Sequence, residues 1–338
     1  MKIDGALLVE LSGVPQRARR LEELGFDGCF AFEGPHEPFM PLLLAAEHSE
    51  LLEVATGLAI AFARTPMTVA NLAHDLHVYS GGRFILGLAS QIKPHIERRY
   101  GATWSKPVSR MREFVQALRA IFACWNEDAP LRFEGEFYNH TLMPPMFKPA
   151  PSPFGAPRIM LGGVGPKMTA VAGEVADLML VHPFHTERSL AELTLPAIRE
   201  GQARAGRDGS DFELACQALI VTGETEADYR TALEATRGQI AFYGSTPAYR
   251  RVLEAEGLGE LQPELKKLTR EGRWGDMSSL VTDELVEKIA LCGPPEAIAG
   301  RLLERYGDIA GRVAFASPHP PSDDCVRTIL DGVRAAKG

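Results

Sequence analysis

The residue types best suited to chemistry gather behind short apolar runs. Glu33 follows the run Gly28–Phe32 and His36 stands three residues later, so a carboxyl and an imidazole reach one strand end together. A carboxyl in a dry pocket has its pKa raised enough to act as an acid. On an open loop it is only a solvated carboxylate, and the histidine then makes a structural hydrogen bond. Gly162-Gly163-Val164-Gly165 enters a helix near Met168, with Lys167 in the first turn. Backbone N–H groups at a helix start bind anions, and glycines let a phosphate come close; the same residues also make an ordinary tight turn. The segment is neither a Walker loop nor a GxGxxG fingerprint, because Lys167 is not followed by Ser or Thr and the spacing differs. His182 and His185 close the run Leu178–Val181. Pro183 puts them on a loop rather than on one helix face, and no acidic cluster accompanies them. They are expected to line a substrate pocket without a metal. Lys93, Arg98 and Arg99 follow another apolar run and are read either as partners for an anionic tail or as solvated loop cations. No Gly-x-Ser-x-Gly elbow is present.

The elements that must position these groups are organised around Val54–Gln91, which reads as strand, loop, helix, tight turn, strand. Thr65 offers an N-cap oxygen and Pro66 takes the first helical position. Val69, Leu72, Ala73, Leu76 and Tyr79 recur at helical spacing, which predicts one buried face. Gly81 and Gly82 stop the helix. Phe84–Leu88 is a continuous apolar run, as expected of a parallel strand covered on both sides. It ends in Gly87-Leu88-Ala89-Ser90-Gln91, small and polar, and α/β proteins bind ligands at such strand ends. Gly57 interrupts the run Val54–Ile60, which predicts a bulge or a close backbone approach there.

Further apolar runs at Ile3–Val9, Gly28–Phe32, Arg158–Leu161, Leu178–Val181, Phe212–Thr222 and Arg312–Ala316 raise the count to eight candidate strands, separated mainly by helices. That alternation favours an α/β fold, a single (β/α)8 TIM-type barrel spanning 1–338, over a doubly wound sheet. Two stretches break the pattern. Residues 128–155 carry six prolines, and 244–287 hold helical pieces out of alternation; both are expected excursions shaping access to a pocket.

Bulk composition narrows the classes. The 338 residues are 45% apolar, ample for a large core. A net charge of −8 argues against a nucleic-acid partner. No apolar stretch reaches the roughly 18 residues of a membrane span, and residues 1–9 read as a strand rather than a signal peptide. Five cysteines without a CxxC pair suggest reduced, buried thiols and a cytoplasmic protein.

The order of a glycine-bearing strand, Arg64-Thr65-Pro66, a helix and Ser80-Gly81-Gly82-Arg83-Phe84-Ile85-Leu86-Gly87-Leu88 resembles the luciferase-like superfamily. Gly165-Pro166-Lys167-Met168, followed by Ala172-Gly173-Glu174 and Ala176-Asp177, resembles its coenzyme F420-dependent oxidoreductase branch. The resemblance implies a barrel that binds F420 at its C-terminal mouth and moves a hydride between the deazaflavin ring and a small organic substrate. It implies that Gly57-Leu58, often a non-proline cis bond in this family, backs the ring. It places Gly87, Ala89, Ser90 and Gln91 beside the cofactor and Gly162, Gly163, Val164, Gly165 and Lys167 around its phosphate. Glu33 and then His36 become the proton-handling candidates. Two departures stand out: Gly34 occupies the place of a histidine that often follows the acid, and Ser90-Gln91-Ile92 supplies no acid after the fourth strand. An FMN-dependent monooxygenase is the alternative, and a barrel without catalysis, serving as a binding subunit, is a third. The family resemblance also implies a homodimer.

Overall fold

The computed structural model describes residues 1–336. Eight parallel strands form the centre: β1 Lys2–Ala6, β2 Gly28–Ala31, β3 Glu53–Thr56, β4 Phe84–Ala89, β5 Arg158–Gly162, β6 Leu178–Val181, β7 Glu213–Ala218 and β8 Arg312–Phe315. Each pairs with its sequence neighbour, β1 also pairs with β8, and the β3–β4 pairing closes the ring. This is a closed parallel (β/α)8 barrel. Side chains alternate across each strand. Phe30, Ala55, Ile85, Met160, Leu178, Leu180, Ala215 and Ala314 fill the inside. Val54, Leu86, Ile159, Met179, Cys216 and Val313 face the helices and join the main core.

The run expected as one strand over Val54–Ile60 divides. β3 stops at Thr56, and Ala59–Ile60 resumes as a separate pair with Leu88 and Ala89. Between them the Gly57–Leu58 peptide is cis. The kink is hydrogen-bonded on both sides: Gly57 N–H donates to Ala31 O at 2.8 Å, and Leu58 O accepts from Glu33 N–H at 3.0 Å.

The following helix, Pro66–Tyr79, starts as the sequence implies, with Thr65 Oγ1 accepting from Thr68 N–H. Its buried face is Val69, Ala70, Ala73, His74, Leu76 and His77, whereas Leu72 and Tyr79 are exposed. The apolar stripe is therefore rotated toward the two histidines, whose rings meet Trp125 and Phe154 edge-on. Gly81 and Gly82 both take positive φ at the stop.

The two excursions behave differently. Residues 128–155 form a short antiparallel pair, Phe133–Glu134 with Asn139–His140, tied to the helix Pro107–Asn126. The Glu113 carboxylate on that helix accepts from the N–H groups of Glu136, Phe137 and Tyr138. Residues 244–287, with the helix Glu226–Gly244 before them, contribute to a second hydrophobic core built on Phe184, Leu219, Ile240, Leu253, Leu265, Met277 and Leu285.

Candidate active site

A cavity of about 940 Å³ opens where the C-terminal ends of the strands converge. Its floor is Phe30, Leu58, Leu180, Gln217 and Ala316. The sector after β1, β2 and β4 carries most of the apolar side chains, Leu8, Phe32, Ile92, Trp104 and Val108, with Glu33, Ser90, Gln91 and Lys93 among them. The sector after β5 and β6 is polar, with Gly163–Lys167, His182, Tyr243, Tyr249 and Arg251. The 244–287 excursion thus supplies part of the wall, whereas no residue of 128–155 touches this cavity. The expectation that both excursions shape the pocket holds for one of them.

Glu33, Gly57, Leu58, Ala89, Ser90, Gln91, Gly162, Gly163, Val164, Gly165, Lys167 and His182 all border this space. Three residues of the sequence reading stand apart from it. His36 is an exposed loop residue whose Nε2 lies 4.0 Å from the Glu10 carboxylate, so nothing draws it inward. Gly87 is sealed inside β4, with Thr56 Oγ1 bridging its N–H and its carbonyl at 2.7 Å each. His185 is buried beyond the wall in an adjoining cleft of about 300 Å³. There its Nδ1 bonds His182 O at 2.8 Å and its Nε2 bonds Tyr306 Oη at 3.0 Å. Both ring nitrogens are thus occupied by the fold.

Glu33 reaches the cavity with its oxygens already engaged. Oε2 accepts from Ile60 N–H at 2.7 Å and from Arg64 Nη1 at 2.6 Å, and Oε1 accepts from Tyr100 Oη at 3.0 Å. That arrangement suits a fixed carboxylate, stapling the β2 end to the resumed strand, better than a proton shuttle. Arg99 donates to Gly34 O and stacks over Tyr100, while Lys93 faces Glu97 at 3.8 Å. Lys93 and Arg98 stand on a short helix, Lys93–Arg98, rather than on a loop, and of the three cations only Lys93 borders the cavity.

The glycine loop leads into the helix Pro166–Val175, whose N-terminus has no side-chain cap. Helix starts leave N–H groups without intrahelical acceptors, and here they open on the cavity beside the exposed Lys167. Gly162 leaves room for the floor: a Cβ there would lie 2.0 Å from Leu58 Cδ1.

Several wall residues were not singled out from sequence. Gln217 breaks the apolar run of β7, and that polar interruption was a usable signal. Tyr243, Tyr249 and Arg251 come from the region that breaks the strand–helix alternation, and nothing local marks them.

Burial sets the His185 charge state. Desolvation pushes its pKa down to about 4, helped by Arg305 and opposed by the bond to His182 O. An unfolded histidine titrates near 6.5. Below that pH the unfolded chain takes up a proton that the native ring refuses, so this contribution is present above about pH 6.5 and is lost as pH falls toward 4. At 1.36 kcal/mol per pH unit, the loss is about 2 kcal/mol by pH 5. Urea unfolding at pH 7.5 and pH 5 measures it; His185→Gln is expected to remove that part of the difference, and an unchanged difference would refute the assignment.

The family model for luciferase-like monooxygenase matches residues 5–312. An uncharacterized protein of Mycobacterium tuberculosis is 48% identical over 336 residues, 99% of this chain and 98% of that one. The 5,10-methylenetetrahydromethanopterin reductase of Archaeoglobus fulgidus is 28% identical over 309 residues, 89% of this chain and 88% of the reductase. Among solved structures, the coenzyme F420-dependent tetrahydromethanopterin reductase from Methanopyrus kandleri superposes with a TM-score of 0.79 at 20% identity, over 97% of this chain and 96% of that one. The EDTA monooxygenase from Chelativorans superposes with a TM-score of 0.72 at 16% identity, over 100% and 94%. The barrel, the cavity at its C-terminal mouth and the match over nearly the whole chain make this protein a member of the luciferase-like monooxygenase family.

Proposed function

We propose that this chain is an F420-dependent oxidoreductase. The observation that carries the reading is the opening of two backbone turns, Gly57–Leu58 and Gly162–Gly165, onto one cavity. A planar ring backed by Leu58 and an anionic tail met by the helix start and Lys167 are then held together. The donor set fits such a group: uncapped N–H groups, an exposed lysine without an ion pair among the described residues, and an apolar floor. F420, when bound, supplies a hydride at C5 of its ring or accepts one there. The protein's own residues orient and enclose. Leu58, Phe30 and Leu180 exclude water from the ring's surroundings, and Glu33 fixes the rim through Arg64 and Tyr100. The reductases among the similar proteins support the F420 branch. The family model and the EDTA monooxygenase support the second reading, an FMN-dependent monooxygenase.

Isothermal titration of the purified protein with F420 and with FMN separates the two. Tight F420 binding with weak FMN binding is expected, and the reverse would overturn the assignment. Gly162→Ala is expected to weaken F420 binding by about tenfold, because the added methyl drives Leu58 toward the cavity; forced repacking costs roughly 1–3 kcal/mol. Unchanged affinity would remove Leu58 from the ring's support. We further propose a cytoplasmic homodimer. Met40, Leu43 and Leu72 leave an apolar surface exposed on two helices in contact, and sedimentation equilibrium measures the assembly.

A further inference from the structure

The residue after β6 is fixed more firmly than a pocket-lining group requires. The His182 ring stacks on Tyr249 at a centroid distance of 4.5 Å and an interplanar angle of 26°, and meets the edge of Tyr243 at 4.5 Å. Its Nδ1 accepts from Phe184 N–H at 3.2 Å. An imidazole whose Nδ1 accepts carries its proton on Nε2 when neutral. Nε2 makes no hydrogen bond with any described residue, and the residue borders the cavity. A donor of known tautomer is therefore held by three aromatic and backbone contacts and left free to act on a ligand.

The groups facing His182 keep it uncharged. Burial comes first and the neighbouring His185 second; together they push its pKa down to about 3. Lys167 and Arg251 are the cations on the same wall, and the hydroxyls of Tyr243 and Tyr249 have their pKa raised by burial, so they carry no counter-charge near neutrality. The one carboxylate on the wall, Glu33, is held by Arg64. His182 thus faces no free anion among the described residues bordering the cavity.

We propose that the Nε2–H of His182 holds the oxygen of an uncharged carbonyl substrate, or of the matching alcohol in the reverse direction. The proposal deepens the oxidoreductase reading and rests on it for the redox step. When bound, reduced F420 would supply a hydride with its electron pair to the carbonyl carbon and would itself be oxidised, and a solvent proton would complete the alcohol from the resulting alkoxide. His182 binds the developing negative oxygen without giving up its proton. A fixed neutral donor does this by preorganisation. Ser90, Gln91 and Gln217 also border the cavity, but His182 is the donor clamped there by two aromatic rings and a backbone bond. The substrate class follows from the donor: a neutral N–H among aromatic rings suits the oxygen of an uncharged ketone, while Lys167 and Arg251 on the same wall are left to an anionic tail.

The test pairs acetophenone with α-methylstyrene, which keeps the shape and replaces the oxygen by a methylene. In protein carrying 15N-labelled histidine, with the His182 signal assigned by its loss in His182→Phe, an Nε2–H tautomer is expected to persist down to pH 5. Acetophenone is expected to move that signal and α-methylstyrene to leave it in place. His182→Phe keeps an aromatic ring for the Tyr249 stack and is expected to abolish the preference for acetophenone. With F420 loaded, it is expected to slow ketone reduction by about 100-fold, the usual loss for one such donor, with F420 affinity changed less than twofold. His182→Asn, which restores a donor, is expected to recover part of the rate. A proton on Nδ1, equal response to both probes, or a loss confined to F420 affinity each overturns the proposal. Should F420 fail to bind while acetophenone still moves the signal, the cofactor reading falls and the oxygen-binding role of His182 stands.

Discussion

Arg312→Met is expected to destabilise the barrel by about 3–5 kcal/mol, the range for removing one partner of a buried ionic cluster. Arg312 closes the N-terminal end of the barrel, opposite the active mouth. Its Nη1 donates to both Asp4 oxygens at 2.6 and 2.7 Å, its Nη2 to Glu53, and its Nε lies 3.7 Å from Glu213. Both Arg312 and Asp4 side chains are almost wholly buried, at 3% and 4% exposure. Burial opposes the arginine's charge, yet Asp4, Glu53 and Glu213 outweigh it and hold its pKa above the ordinary value. Asp4 shows the other side of the balance: desolvation raises its pKa despite Arg312. Methionine would fill the volume and leave Asp4 an uncompensated anion. The cost is expected to shrink as pH falls, because a protonated Asp4 needs no cation in either the folded or the unfolded chain. Asp4→Leu/Arg312→Met is expected to recover most of the loss, since Glu53 keeps Lys2 at 2.8 Å. Urea unfolding of the two single variants and the double variant gives the coupling. A loss below about 1 kcal/mol at pH 7.5 would mean that water screens the cluster as it screens a surface pair.

Gly87→Ala is the second large effect. The motif Gly-Leu-Ala-Ser-Gln suggests a glycine that admits a ligand; the fold gives it a different reason. A Cβ at Gly87 would stand 1.9 Å from the Thr56 carbonyl oxygen and 2.9 Å from both Leu58 Cδ2 and Met160 Cε. The side-chain ends can move, but the carbonyl belongs to β3, and the Thr56 hydroxyl bonds both polar groups of Gly87. One methyl must therefore part β3 from β4 and break that bridge. We expect a loss of about 3 kcal/mol or more, the upper end for overpacking a core. Gly300→Ala is the control. It sits inside the helix Pro295–Tyr306 with nothing within 4 Å of the added Cβ, so it is expected to stabilise by about 0.5–1 kcal/mol. If thermal or urea unfolding finds both substitutions equally mild, the strands are looser at Thr56 than their hydrogen bonds imply. Because Leu58 meets the added methyl and is itself part of the cavity floor, a folded Gly87→Ala protein is also expected to bind the proposed cofactor less tightly.

Most of the barrel was legible along the chain because strands and helices write themselves in short-range patterns. The continuous apolar run at Phe84–Leu88, the cap at Thr65 and the glycine stop at Gly81-Gly82 each depend on residues within one or two turns of each other. The same locality located the glycine loop at Gly162–Gly165 and the break at Gly57. Which face of a helix meets the core is not set by such local patterns. In Pro66–Tyr79 the periodicity admitted Leu72 and Tyr79, and only packing against Trp125 and Phe154 selected His74 and His77.

What the tertiary structure alone decided is the chemical state of each polar group, since partners are drawn from far along the chain. Glu33 meets Arg64 across 31 residues and Tyr100 across 67, which turns a candidate acid into an anchored carboxylate. His185 meets Tyr306 across 121 residues and is withdrawn from the cavity, while His182, only three positions earlier, still borders it. The sequence by itself determined where the strand ends and the glycine turn at Gly162–Gly165 would fall, because backbone conformation follows from near neighbours. Whether a side chain at such an end is spent or available depends on long-range contacts, and these exist only once the barrel has closed.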